Sequence, residues 1–490
     1  MTAKNWAEQD KVMSEAYWKL WNPEVQARID RDIEANRKAD ACVKVPGLSH
    51  GTEVKVEQLT HDFVFGAHLF NFNQLGTDER NRKHQELFGT LFNSGTVAFY
   101  WKKFELEEGK PRFKEEFRDT AEYWNKVAEP KNETHWRRPA TDPVVAFCER
   151  KGIRIHGHTL TWGSRRWQMP DWMMEKLPAQ FIKGYMQESP KGPSFFYNIF
   201  ADFIPEQVEK LLPEFTRELN CKMVERIIEI ALYYKDRIHS WDVANESATD
   251  FGLGVMEPGS GICQSHYGLM PGDYTYRSFK TAESVFNESI KLNINDYNLQ
   301  QCYVDQTLDL LKRNCKVDIM GAQMHLFNPE TCLNIAAGIA DGRSETQFPE
   351  AVWETMDRLA SAGLPIHLSE ITITAPDNDA RGQAIQAVIT RNLYRLWFSV
   401  KAMMGITWWN TVDDCGAPGE PSVSGIFSRD MKPKPAYFTL DKLINEDWKT
   451  RTTVNADKDG HIEFRGFRGN YRLTWKDAKG VEQTQEFYLK

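Results

Sequence analysis

Two apolar stretches of this chain each deliver one glutamate near their carboxyl end. In Ser240-Trp241-Asp242-Val243-Ala244-Asn245-Glu246, small and apolar residues lead into Asn-Glu, and polar Ser247, Thr249 and Asp250 follow. In Pro365-Ile366-His367-Leu368-Ser369-Glu370-Ile371-Thr372-Ile373, Glu370 interrupts an otherwise apolar run. Both read as buried parallel strands, where a carboxylate is costly unless it is paired or hydrogen-bonded. In a (β/α)8 barrel, residues that do chemistry sit at the carboxyl ends of the strands. Two such glutamates facing each other across a barrel mouth make the pair that glycoside hydrolysis needs. One protonates the leaving oxygen, and the other attacks the anomeric carbon or activates water. The plain alternative is a pair of salt-bridged glutamates at a barrel rim.

The rest of the chain must supply that barrel. Apolar runs near residues 63–69, 95–100, 152–160, 239–246, 290–297, 317–325, 365–373 and 405–413 alternate with helical stretches such as 221–235, 276–289, 347–362 and 380–400. This alternation predicts a parallel α/β fold. Eight repeats favour a closed (β/α)8 TIM barrel over a doubly wound sheet, since no Gly-x-Gly-x-x-Gly turn follows an early strand. The barrel is expected over residues 63–443, with insertions at 126–143 and 163–220. Long strand-to-helix insertions commonly build binding clefts. The second carries Trp167, Trp172, Phe195, Phe196, Tyr197 and Phe200, which suit a substrate platform or a helical cap with its own core.

The ends of the chain read differently. Residues 1–62 predict a helix, broken near Pro23, and then a β-hairpin whose arms are 41–45 and 53–57. Residues 444–490 predict a small β unit of alternating segments divided by Asp459-Gly460, Arg468-Gly469 and Lys479-Gly480. Both ends are expected to join in one small β appendage, either structural or a carbohydrate-binding module.

Composition narrows the function. A net charge of -8 over 490 residues argues against nucleic-acid binding. No apolar run approaches the roughly 20 residues of a membrane span, so no membrane insertion is expected. The eight cysteines are spread without zinc-ligand spacing, and neither a metal nor another cofactor is expected. Sixteen tryptophans suit stacking on sugar faces. Met1–Trp6 lacks the apolar segment of a signal peptide, which leaves the compartment open.

With these pieces in place, the chain resembles glycoside hydrolase family 10, best known for endo-β-1,4-xylanases. Trp241–Glu246 is similar to that family's acid/base strand and Ile366–Glu370 to its nucleophile strand. His156-Gly-His158-Thr-Leu-Thr-Trp162 resembles the third strand, Asn295-Asp-Tyr-Asn298 the fifth and Gly321-Ala-Gln323-Met-His325 the sixth. Gly405-Ile-Thr-Trp-Trp409, followed by Lys432-Pro-Lys-Pro-Ala-Tyr437, resembles the eighth strand and last helix. These motifs run in order, and the resemblance extends from about residue 28 to residue 443.

The resemblance implies retaining hydrolysis of a β-linked polysaccharide or oligosaccharide, most simply xylan or a decorated xylan. Glu370 would be the nucleophile and Glu246 the acid/base, with carboxyl groups about 5–5.5 Å apart. Glu246 would be kept protonated by the adjacent carboxylate. Asn245 would donate to the sugar 2-hydroxyl, while Gln323 and His325 orient Glu370. His158, Trp162 and Trp409 would shape the subsite at the cleaved bond. Trp101 would contact the glycone sugars, and Tyr297 the leaving-group side. The family also implies a secreted or periplasmic location.

The chain departs from the family pattern where the glycone sugars are held. Thr96-Val97-Ala98-Phe99-Tyr100-Trp101 stands in place of Glu-Asn-Glu-Met-Lys-Trp, and Gly163 follows Trp162 in place of His. The second aromatic expected after Trp409 is absent from residues 413–419. A site that loses hydrogen-bonding partners for one sugar loses selectivity for it. The alternatives are therefore a different β-linked glycan, exo-acting cleavage, or a non-catalytic carbohydrate-binding protein.

Overall fold

The computed structural model describes residues 6–177, 185–187, 194–196, 205–259, 261–265, 268–342 and 345–490. Strands β1 (Lys38–Lys44) and β2 (Glu53–Gln58) precede β3 (Val64–His68), β4 (Ser94–Ala98) and β5 (Arg154–His158). Three short strands, β6 (Thr161–Trp162), β7 (Tyr185–Gln187) and β8 (Ser194–Phe196), come before β9 (Ser240–Asn245). β10 (Ile262–Ser265) and β11 (Gly268–Pro271) form a small antiparallel pair. β12 (Lys291–Asp296), β13 (Ile319–Leu326), β14 (Ile366–Ile373) and β15 (Met403–Trp408) follow. The last strands are β16 (Arg451–Asn455), β17 (His461–Phe467), β18 (Gly469–Lys476) and β19 (Glu482–Leu489).

β3, β4, β5, β9, β12, β13, β14 and β15 pair in parallel in that order, and β15 returns to β3. The sheet is thus a closed eight-stranded barrel ringed by helices, the (β/α)8 architecture expected from the eight apolar runs. β3, β4 and β14 are buried at every residue. Covered on both faces, such strands read as continuous apolar runs rather than as alternating ones. Trp241, wholly buried, fills space that any side chain at Gly157 would occupy, because a Cβ there would overlap the indole.

Helix ends are fixed by local chemistry. Asn22 caps the helix Pro23–Arg37 through the Val25 N–H, with Pro23 at the first turn, where its missing N–H is no loss. Asp379 caps Ala380–Ser399 through the Gly382 N–H. The helix Ala380–Ser399 is buried along nearly its whole length because the N-terminal helices cover it. Arg391 pairs with Asp10 at 2.5 Å, and Asn392 donates to the Tyr17 hydroxyl at 2.7 Å.

One expectation fails at the chain ends. β1 and β2 do not form a hairpin: β1 pairs with β17, and β2 lies between β16 and β18. Alternation announces a strand with one apolar face but does not choose its partner. Here the shared core of Val45, Val54, Val56, Ile462, Tyr471 and Leu473 closes only when both ends of the chain meet. The segments divided at residues 62 and 444 are therefore two halves of one β appendage.

In the 163–220 insertion, Trp172, Met173 and Leu177 pack with Val208, Leu212 and Phe215 in an apolar cluster that Trp101, Met256, Ile262 and Tyr274 complete from outside it. Tyr197 and Phe200 lie outside the described residues. All eight cysteines are free thiols. Among the described residues, no helix is long and apolar enough to cross a membrane.

Candidate active site

The carboxyl ends of the barrel strands open into one cleft with a cavity volume of about 700 Å³. Glu246, Glu370, Asn245, His158, Trp162, Gln323, His325, Trp409 and Tyr297 all line it. Trp101 does not, which corrects the expectation. The backbone turns into the short helix Trp101–Phe104 at that point, and the indole points into the insertion's apolar cluster. Its Nε1 donates to Glu105 at 2.7 Å. Tyr100, one residue earlier, takes the place on the cleft wall.

Strand register assembles the polar layer. β9 against β12 sets Asn245 opposite Asn295, and β13 against β14 sets Gln323 opposite Glu370. Asn295 Nδ2 donates to Asn245 Oδ1 and to Glu370 Oε1, each at 2.8 Å, while its Oδ1 accepts from Ser369 at 2.5 Å. Gln323 Nε2 donates to Asn245 Oδ1 at 3.3 Å and to Glu246 Oε1 at 3.2 Å. A chain of carboxamides therefore joins the two glutamates. With the Asn245 oxygen engaged twice, its NH2 is the group left to offer a ligand.

The two carboxyl groups sit in different surroundings. Glu370 is 5% exposed, and burial pushes its pKa up to about 7, with His158 acting in the opposite direction. His325 Nε2 approaches its second oxygen at 3.3 Å and holds Thr372 through Nδ1 at 3.0 Å. Glu246 is only partly buried and adopts a left-handed φ of 55°. That conformation is uncommon for a residue with a Cβ and persists where neighbours fix it. Here the Glu246 N–H donates to the Asn295 carbonyl at 2.8 Å. Just beyond, the Asp296 carboxylate accepts from the Ala248 and Asn298 N–H groups, both at 2.8 Å. The turn brings Glu246 off the strand and into the cleft.

Beneath this layer lies a buried carboxylate with two imidazoles. His158 Nδ1 and His156 Nε2 lie 2.8 and 2.9 Å from Asp242 Oδ2. Burial opposes charge on Asp242, but the two histidines outweigh it and hold its pKa well below the usual carboxylate range. An ionised carboxylate only accepts, so both ring nitrogens donate to it. His158 is thereby fixed with Nε2 toward Glu370, at 3.7 Å from Oε1. Trp409 crosses His158 edge-to-face, with ring centres 5.4 Å apart. Among the described residues, no group of three or more His, Cys, Asp or Glu is placed to hold a metal.

The sequence model of glycosyl hydrolase family 10 matches residues 119–443, well over half of the chain. The protein belongs to glycosyl hydrolase family 10. Among curated relatives it is similar to endo-1,4-beta-xylanase C of Paenibacillus barcinonensis, with 23% identity over 415 residues, 78% of this chain and 31% of that protein. It is also similar to endo-1,4-beta-xylanase A of Halalkalibacterium halodurans, with 27% identity over 201 residues, 40% of this chain and 42% of that protein. The chain thus spans less than half the length of either relative. Among solved structures, xylanase 10B from Thermotoga petrophila RKU-1 in complex with xylobiose superposes with a TM-score of 0.53 at 16% identity. That match covers 79% of this chain and 95% of the other, and it supports the shared barrel.

In this family 10 chain, the sequence did not announce several residues in and beneath the cleft. Asn295 was visible at a strand end, but its bridging position follows from register. Asp242 was in plain sight within the Ser240–Glu246 run, yet nothing in that run marks which histidines it meets. Arg137 and Arg138 come from the 126–143 insertion, whose length alone pointed to a cleft. Glu420, which lies 3.6 Å from Arg137, comes from the loop after the last barrel strand.

Proposed function

We propose that the protein is a retaining glycoside hydrolase that cleaves β-1,4-linked xylan-type chains internally. Glu370 attacks the anomeric carbon as Glu246 protonates the leaving oxygen, giving a glycosyl-enzyme. Glu246, now a carboxylate, removes a proton from water, which displaces Glu370 and restores both groups. The observation that carries this reading is the contrast between the two carboxyl groups on one carboxamide chain. Glu370 is buried and fixed by Asn295 and His325, as a nucleophile must be. Glu246 stands on the wall within reach of a leaving group and of water.

Supporting roles follow from the same contacts. Asn245, with its oxygen occupied, offers N–H to a sugar hydroxyl beside Glu246. His158, Trp162 and Trp409 surround the sugar next to Glu370, and Tyr297, 47% exposed, flanks the leaving-group side. A polymer of this kind is degraded where it occurs, so the protein is expected to act outside the cytoplasm.

A second reading, a retaining enzyme for a different β-linked glycan, draws on the glycone wall. There Thr96, Val97 and Ala98 replace the carboxylate and amide groups of the family pattern, and Tyr100 and Arg138 line the cleft. The test is sugar release from plain and decorated xylans, mixed-linkage glucan and galactans, with Glu370→Gln as control. Xylo-oligosaccharides released by the wild type and lost in the variant are expected. Release from another glycan alone would replace the substrate, and release from none would remove the catalytic reading.

A further inference from the structure

The glycone wall carries a charge that the chemistry above does not use. Arg138 is 7% exposed and lines the cleft, with its guanidinium stacked 3.8 Å from the Tyr100 ring centre and 4.9 Å from that of Phe70. Its Nη1 donates to the Arg137 carbonyl at 2.7 Å. Among the described residues no carboxylate lies within salt-bridge distance of it. Arg137 beside it is answered, by Glu420 at 3.6 Å and by Asn410 at 3.0 Å. Arg166 adds a third guanidinium at the cleft rim, over the Trp167 ring at 4.5 Å.

Glu420 and Glu370 act on Arg138 only from beyond pairing distance. A buried guanidinium with no directly paired carboxylate is expensive to keep, and a planar fork of N–H donors is the usual receptor for a carboxylate. Tyr100 fixes where that receptor sits. Its ring centre is 5.2 Å from His158 and 5.8 Å from Trp162, the residues around the sugar next to Glu370. The Arg138 fork therefore borders the glycone subsites rather than the outer surface. The end of β4 and the turn after it, Thr96–Tyr100, bring no charged side chain to this wall, so its charge comes from Arg137 and Arg138. Such a wall suits a ligand that carries a negative charge.

We propose that Arg138, supported by Arg137, binds a sugar carboxylate, so that the preferred glycan carries a uronate unit on its glycone side. This rests on the glycoside-hydrolase reading of the cleft and narrows its substrate. The carboxylate has two possible sources, a uronate branch on a neutral backbone or a uronate within the backbone itself.

The test is calorimetric binding to the full chain carrying Glu370→Gln, which leaves ligands intact. Neutral xylotetraose, xylotetraose bearing one glucuronate branch, and a β-1,4-linked tetraglucuronate would be compared. At least one acidic ligand should bind about tenfold or more tightly than the neutral one, the equivalent of one charge-assisted contact. The acidic ligand that gains identifies the source. Adding Arg138→Gln should erase the difference and Arg138→Lys should restore part of it, and high salt should weaken it. Equal binding of all three, a preference for the neutral one, binding of none, or a preference that survives Arg138→Gln would each overturn the proposal. Xylan cleavage by the wild type is read separately. Cleavage without acidic preference removes only the uronate assignment, whereas acidic binding without any hydrolysis removes only the catalytic one.

Discussion

The cleft has two walls built by different means. Around Glu246 and Glu370, the side chains come from consecutive strand ends, and neighbours answer one another through the carboxamides of Asn295, Asn245 and Gln323. On the glycone wall, Tyr100, Arg137 and Arg138 come from loops and from the start of a short helix. There aromatic rings and guanidinium groups meet, with Glu420 as a partial counter-charge. The first wall is rigid because register fixes it, and register in a closed barrel changes only if every strand shifts. The second can change residue by residue without disturbing the barrel. Chemistry is therefore expected to reside in the first wall and choice of sugar in the second.

Substitutions should separate the two. Glu370→Gln removes the proposed nucleophile and should lower kcat by roughly 10⁴-fold or more, measured as sugar release with folding checked by circular dichroism. Asn295→Ala removes the N–H that binds Glu370 and the bridge to Asn245. It should lower kcat by about 10²–10³-fold, with a smaller change in KM. Tyr100→Ala, on the other wall, should act mainly on KM, raising it about tenfold by loss of a stacking surface and of the Arg138 seat. If Tyr100→Ala lowers kcat as far as Asn295→Ala does, the division of labour fails.

A subtler test uses pH. As the proposed nucleophile, Glu370 must be ionised to attack, so the acidic limb of kcat/KM should rise with pH through about 7, where burial holds this carboxyl. His158 acts against that burial and favours the ionised form. His158→Asn removes the opposing influence, so the limb should move to higher pH in steady-state profiles. A shift to lower pH would show that the histidine does something else.

The barrel was legible because each of its strands is a short apolar run between helical stretches, and burial on both faces writes that pattern directly. Glu246 and Glu370 were legible because a carboxylate in such a run has few structural excuses. The partners of β1 and β2 were not legible, since alternation gives a strand its apolar face but leaves its neighbour open. Trp101 misled because the sequence does not show where the backbone leaves strand geometry for helix, and one residue of offset exchanges Trp101 for Tyr100. The roles of Asn295 and Asp242 depend on atoms brought within 3 Å from separate strands. The arginines depend on how the 126–143 insertion folds back over the barrel mouth, which residue order alone does not state.

The central claim, that Glu370 forms a covalent glycosyl-enzyme which Glu246 then helps water to release, is tested most directly by the stereochemistry of the product. Proton NMR of the first turnovers on a cleaved β-glycan reads the anomer before it mutarotates. The account predicts that the β-anomer appears first and that α grows in later. An initial α-anomer would mean single-step inversion and would contradict the roles assigned to both glutamates.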